Sequence, residues 1–298
     1  MPIRLVESKD NARLKELRKA LTAPVREARS SAGRVNLVGV EGPHLVQEAL
    51  CAGLRVASIF VAQGAEGLLD SLPVPPETEI LRLPAKLLVS ALATETPQLV
   101  AALIEPPVWS WANVLNQDHG KIVVLAGLQD PGNLGTILRS AEAFGAAGIV
   151  SLPGTVSPWN PKAVRASAGS VFRVPVLSVS EEECLEKLHK AGVRILSTAA
   201  RGAEPADQID LAGPVAFIIG NEGNGVPADL AAKADAAITI PCPGPVESLN
   251  AAVAASVLLY EAARQRATRM SKAASKPRLS SKGPLHAMVP HAVGGALR

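Results

Sequence analysis

The sequence predicts an α/β fold built on a parallel sheet, preceded by a smaller α/β unit. From Lys121 onward, apolar runs of strand length alternate with stretches of helical length, the pattern of strands joined by crossover helices. The chain is 48% hydrophobic but only 3% aromatic, which suits buried aliphatic strands covered by helices better than a β-sandwich. Its 298 residues suffice for two domains, each with its own core.

In the first unit, Leu14, Leu17 and Leu21 share one face of an amphipathic helix, and Arg13, Lys15, Arg18 and Lys19 make it basic. GPHLVQEALCAG, residues 42–53, reads as a helix ending at Gly53. RVASIFVA, EILRLP and QLVAALIE read as strands, with PAKLLVSALA as a helix between the last two. PPVWSWANVLNQDHG carries two prolines and a terminal glycine and reads as a linker. Beyond it, IVVLAGL, GIVSL, RVPVLSV, RILSTAA, PVAFIIG and AAITIP are strand-like. NLGTILRSAEAFGA, PKAVRASAG, EEECLEKLHKAG and NAAVAASVLLYEAARQR are helical. The expected division is 1–107, a linker at 108–120, a second domain at 121–266, and a disordered basic tail at 267–298.

Net charge is +3, but residues 1–34 carry +5 and residues 264–298 carry +8, leaving −10 between them. Basic ends on an acidic middle fit an anionic polymer gripped by the flanks. On charge alone they fit solubilising ends equally well. No apolar run approaches the ~20 residues of a membrane helix, and the charged N-terminus lacks a signal-peptide pattern, so a cytoplasmic protein without membrane contact is expected. Cys51, Cys184 and Cys242 stand far apart, so reduced thiols and no metal site are expected.

Three loops place polar residues at strand ends, where open α/β sheets bind ligands. In GLQDPGNLGTILRSAEAFGA, Asp130-Pro131-Gly132-Asn133 forms a turn capping the next helix. Arg139 lies off that helix's apolar stripe of Leu134, Ile137, Leu138 and Ala141; taken alone it is more often a solvated arginine. In FIIGNEGNGVP, Gly220, Gly223 and Gly225 permit close approach to the main chain. The spacing matches neither a P-loop nor a dinucleotide fingerprint, and a glycine-rich turn with Asn221 and Glu222 bonding their own backbone would also explain it. PCPGPVESLNAAVAASVLLYE leads Glu247-Ser248-Leu249-Asn250 into an alanine-rich helix. Capping explains Ser248 or Asn250, but not the whole polar set.

In this order and spacing, DPGNLGTILRSAEAFGA, IIGNEGNGVP and IPCPGPVESLNAAVAASVLLYE resemble the three motifs of the SpoU (TrmH-type) RNA 2′-O-ribose methyltransferases, over residues 121 to about 265. DNARLKELRKAL, VEGPHLVQEAL and the ATETPQLVAAL segment more weakly resemble that family's substrate-binding domain of the ribosomal-protein L30e type. Two departures are mild: Cys242 where methionine is usual, and Ala251-Ala252 for Val-Ser or Val-Ala. The resemblance implies a SPOUT architecture, with a deep C-terminal trefoil knot, a homodimer with active sites near the interface, and S-adenosyl-L-methionine as cofactor.

By motif position, Gly220, Ile240 and Leu249 would contact the cofactor, with Thr198 and Ala199 at its rim. Asn133, Arg139, Glu222, Ser248 and Asn250 match the family's catalytic or substrate-positioning residues. Arg139 would activate the acceptor hydroxyl as a base or, more easily, clamp a phosphate and stabilise alkoxide. Glu222 would be the alternative base or a loop-orienting group. Ser248 and Asn250 would align substrate and Arg139. Arg13, Lys15, Arg18 and Lys19 would contact RNA phosphates. Ribosomal RNA of the 23S type is preferred over transfer RNA as substrate, and a non-catalytic RNA-binding protein of the same fold is the rival reading.

Overall fold

The computed structural model describes residues 3–23, 36–92, 94, 96–116 and 120–274. The first unit contains β1 (Ile3–Leu5), α1 (Ala12–Thr22), β2 (Val38–Glu41), α2 (Pro43–Cys51), β3 (Val56–Ala62), β4 (Glu79–Leu83), α3 (Ala85–Val89) and β5 (Val100–Ile104). Its sheet is ordered β1-β4-β3-β5-β2. Strand β4 is parallel to β1 and β3, whereas β5 is antiparallel to β3 and β2. Helix α1 starts at Asn11, whose side chain accepts from Leu14 N at 3.2 Å, and it buries Leu14, Leu17, Ala20 and Leu21. Helix α2 opens on Pro43, and the chain turns away at Gly53 with φ of +72°.

The stretch expected as a linker holds a short helix, α4 (Trp111–Leu115). Trp111 Nε1 donates to Glu183 Oε1 at 2.7 Å, which ties this segment to the second unit. That unit runs β6 (Lys121–Leu125), α5 (Pro131–Ala143), β7 (Gly148–Ser151), α6 (Pro161–Ser167), β8 (Val176–Ser178), α7 (Glu181–Lys190), β9 (Arg194–Thr198), β10 (Glu204–Pro205), β11 (Val215–Ile219), α8 (Ala228–Ala231), β12 (Ala236–Thr239) and α9 (Ala251–Ala274). The expected parallel sheet is present, ordered β10-β12-β9-β11-β6-β7-β8. The chain leaves β6 towards β7 and β8 on one side, then fills the other. The join between β6 and β11 is therefore the switch point, beyond whose strand ends folds of this kind bind ligands.

Strand alternation sorts the apolar residues into layers. Phe60, Ala62, Ala101 and Leu103 face one buried cluster with α1, whereas Ile59, Val61, Ala102 and Ile104 face another. In the larger sheet, Val123, Leu125, Phe217 and Ile219 turn to that second cluster, and Ile122, Val124, Ala216 and Ile218 turn away. The expectation of one core per unit is thus corrected. The cluster holding Val46 and Ala49 of α2 is continuous with that holding Leu134, Ile137, Ala163 and Val164 of α5 and α6.

The expected tail is corrected too, because α9 continues unbroken from Ala251 to Ala274. Gln265 accepts from Leu211 N at 2.8 Å and donates to Ile209 O at 3.1 Å, and Arg269 pairs with Asp210 at 2.9 Å. These contacts fasten the helix end to the 209–211 loop, and the added sequence has good helix formers. The rest of the expected tail, residues 275–298, lies outside the described residues.

Helices α5 and α6 touch at Gly135, where an added Cβ would sit 2.7 Å from Ala163 O and 2.8 Å from the Ala166 carbonyl carbon. Gly135→Ala is expected to lower stability by about 1–3 kcal/mol despite alanine's better helix propensity. Chemical denaturation against the wild type measures it.

Candidate active site

Three loops leave the C-terminal ends of β6, β11 and β12. The first is set by Asp130, whose Oδ1 accepts from Asn133 N at 2.8 Å and caps α5. That bond, first among its causes, lowers the Asp130 carboxyl below its ordinary value, and the Lys162 ammonium at 3.3 Å assists. Thr155 steadies the loop, accepting from Gly127 N at 3.1 Å and donating to Leu125 O at 3.0 Å.

The second loop folds into a small hairpin in which Asn221 and Gly225 exchange backbone hydrogen bonds of 3.0 and 2.9 Å. A side chain at Gly220 would overlap the backbone of Gly225 and Val226, so only glycine fits there. Asn221 Oδ1 accepts from Gly223 N at 2.9 Å, the local turn expected of it, while Nδ2 reaches the first loop at Gly127 O, also 2.9 Å. Glu222 reaches the same loop. Its Oε1 accepts from Asp130 N at 2.9 Å and Asn133 Nδ2 at 3.1 Å, and its Oε2 accepts from Gln129 N at 3.2 Å.

The third loop joins through Asn250. Its Oδ1 caps α9, accepting from Ala252 N at 2.9 Å and Val253 N at 3.3 Å, and its Nδ2 donates to Asn133 Oδ1 at 3.0 Å. Glu222, Asn133 and Asn250 thus form one chain of hydrogen bonds across all three loops. Below it, α5 and α9 run parallel, joined by Ser140 and Ser256 hydroxyls at 2.6 Å and by an edge-to-face Phe144–Tyr260 contact at 5.8 Å.

Of the residues expected at the site, Asn133, Gly220, Glu222 and Asn250 converge here. Ile240 and Leu249 are half-buried, and Ile240 packs on the central cluster. Thr198 Oγ1 donates to Ile218 O at 2.8 Å, and Ala199 N donates to Ile238 O at 2.9 Å, so both lie at the adjoining strand ends. Ser248 and Arg139 are exposed, and their side chains make no hydrogen bond among the described residues; Asn250 binds Asn133, and no bond joins it to Arg139. Of the expected RNA-contacting residues, Arg13 is paired with Glu16 and Glu79, and Lys15 with Asp10. Arg18 and Lys19 have no ion pair among the described residues. Sequence reasoning missed Gln129 and Asp130 as backbone donors, and Thr155, which no nearby motif signals.

Burial pushes the Glu222 carboxyl up, but the donors from Asp130, Asn133 and Gln129 outweigh it and hold it below the ordinary 4.5. A depressed value adds stability above the unfolded pKa, and that stability is lost as pH falls through the folded value. Glu222→Gln, whose amide cannot accept on both sides, is expected to be less stable than wild type at neutral pH. The gap should close as pH drops below 4.5 through the titration of Glu222, as read from denaturation curves over a pH series.

The comparisons with known proteins agree with this geometry. The model of the SpoU rRNA Methylase family matches residues 120–260. The 23S rRNA (guanosine(2553)-2'-O)-methyltransferase RlmP of Bacillus subtilis is 34% identical over 259 residues, 86% of this chain and 97% of the relative. An AdoMet-bound rRNA methyltransferase from Sinorhizobium meliloti superposes with a TM-score of 0.76 at 31% identity, covering 88% of this chain and 98% of that one. The SpoU methyltransferase AviRb from Streptomyces viridochromogenes, also solved with AdoMet, gives a TM-score of 0.74 at 29% identity, covering 87% and 99%. With strand order, the three-loop network and full-length relatives in accord, the chain belongs to the SpoU rRNA methylase family.

Proposed function

We propose that the chain is an S-adenosyl-L-methionine-dependent methyltransferase that modifies a ribose 2′-hydroxyl in 23S ribosomal RNA. The observation that carries this reading is the Glu222–Asn133–Asn250 chain, which joins one polar residue from each of the three motifs at the switch point of the sheet. RlmP, similar over nearly its whole length, acts on 23S rRNA, and the two structural relatives are AdoMet-bound. A cytoplasmic location goes with this substrate. No described helix is long and apolar enough to cross a membrane.

The site suits that cofactor. The glycine-tight hairpin at Gly220 presents backbone donors and acceptors, while Ile240 and Leu249 offer half-buried aliphatic surface. Gly220, Ile240 and Leu249 would hold the cofactor, with Thr198 and Ala199 at the rim. When bound it supplies an electrophilic methyl carbon on a sulfonium. Glu222 serves as an anionic tie: its two oxygens take three N–H donors and its pKa is depressed, which supports loop positioning over a base role. Asn133 and Asn250 fix the loops against each other, and Ser248 is left open to substrate. Arg139, uncommitted to any described partner, clamps the RNA phosphate and stabilises negative charge developing on the 2′ oxygen.

A homodimer completes the site. Val253, Val257 and Tyr260 are 47%, 37% and 54% exposed along the outer face of α9. In parallel right-handed helices, a step back from Ser140 on α5 and a step forward from Ser256 on α9 turn to the same side of their seam. Arg139 therefore borders this apolar stripe, and a second copy covering it would place Arg139 at the subunit boundary. Residues 1–107 form the RNA-binding domain, and the catalytic domain runs from 121 to the end of α9 at Ala274, with the knot in the segment after β11. Among the basic residues of α1, Arg18 and Lys19 are the phosphate contacts least committed elsewhere.

Two experiments test the reading. With methyl-labelled cofactor and 23S ribosomal RNA, Arg139→Ala should lower transfer about 10²–10³-fold and leave cofactor affinity by calorimetry unchanged; near-normal turnover removes Arg139 from the catalytic set. In RNA-binding titrations at increasing salt, Arg18→Ala with Lys19→Ala should flatten the log–log slope by about 2; an unchanged slope refutes that contact.

A further inference from the structure

Arg173, in the turn before β8, touches both units. Its Nη1 donates to Glu48 Oε2 on α2 at 2.7 Å. Its Nε and Nη2 grip Glu142 on α5 as a fork, the second bond at 3.2 Å. Both glutamates raise the guanidinium's pKa, with Glu142 the larger cause, and Arg173 in turn lowers that of Glu142. The seat beneath is closely fitted. Gly169, at φ of +94°, would place a Cβ 2.7 Å from Glu48 Cβ and 2.8 Å from its Cγ. Around it, Leu45, Val46 and Ala49 of α2 join the same buried cluster as Leu134, Leu138, Val171 and Phe172.

We propose that Arg173 is a positioning residue that locks the RNA-binding unit to the catalytic helix α5, so that RNA held by the first unit presents its ribose at Arg139. The proposal rests on the methyltransferase reading above. Glu142 and Arg139 share α5 within one turn, so the carboxylate clamped by Arg173 and the guanidinium that meets substrate move as one body. The fork to Glu142 anchors Arg173 to the catalytic unit, and its bond to Glu48 adds a directional polar link beside the apolar core that the two units share. A two-sided carboxylate bridge of this kind needs the planar arginine, and lysine satisfies only part of it.

The test compares Arg173→Met, Arg173→Lys and Glu48→Gln in the full-length protein. Release of the lock should lower kcat on ribosomal RNA about 10–100-fold in Arg173→Met, with KM for RNA and cofactor affinity little changed; Arg173→Lys and Glu48→Gln, which each keep part of the link, should fall between it and the wild type. Glu48→Gln keeps the Arg173–Glu142 fork, so it serves if Arg173→Met fails to fold. A second readout needs no activity: spin labels on native Cys51 and on Lys187→Cys, in a Cys242→Ser background, report the distance between units. A narrow distribution should broaden in Glu48→Gln and Arg173→Met. Wild-type kcat in both variants, or an unbroadened distribution, overturns the proposal. If the wild type methylates no RNA, the proposed function falls, and the distance distributions alone decide whether the lock exists.

Discussion

The site depends on one short chain of hydrogen bonds, Glu222 to Asn133 to Asn250. Its two ends also satisfy backbone donors: Glu222 takes those of Gln129 and Asp130, and Asn250 takes those of Ala252 and Val253. Helix starts leave N–H groups without intrahelical partners, and the site is assembled where two such starts meet. At the start of α9 the capping side chain, Asn250, also joins the loops, so one residue serves both local capping and long-range assembly. An amide exchanged for an apolar group here leaves an acceptor on one side and a donor on the other unmatched.

Helix α5 is where these demands converge. Its first turn carries Asn133, its flank packs on α9 through Ser140, and its close face meets α6 at Gly135, where no larger residue fits. Its last turn carries Glu142, held by Arg173. A helix pinned on so many sides has little freedom to tilt. Arg139 projects from that rigid rod without a described partner of its own. A preorganised backbone with an uncommitted cation suits the role proposed for Arg139, stabilising a forming alkoxide.

Much of this was legible in the sequence, and the rest was hidden for physical reasons. Continuous apolar runs of strand length located β3, β5, β6 and β11, because a strand buried on both faces is apolar at nearly every position. Capping chemistry located the starts of α5 and α9, since Asp130 and Asn250 act within three residues of themselves. The link from Asn250 to Asn133 spans 117 residues, and that from Arg173 to Glu48 spans 125; no local pattern encodes either. The shared core was hidden likewise, because α2 looks amphipathic whether its apolar face meets its own sheet or a neighbouring unit. The extension of α9 to Ala274 was missed because a helix held by Gln265 and Arg269 needs no apolar periodicity.

The division between bound and unbound polar groups gives the roles their logic. Glu222 is saturated: three N–H donors surround two oxygens and hold the carboxyl below its ordinary range. An anion so well satisfied is a weak base, because taking a proton would forfeit bonds that stabilise its charged form. Arg139 and Ser248 stand at the opposite limit, exposed and with side chains that make no hydrogen bond among the described residues. Groups that meet substrate must form their bonds with it and not with the protein. Saturation at Glu222 and vacancy at Arg139 are therefore complementary: the first builds the platform, and the second is open for the phosphate contact proposed for it.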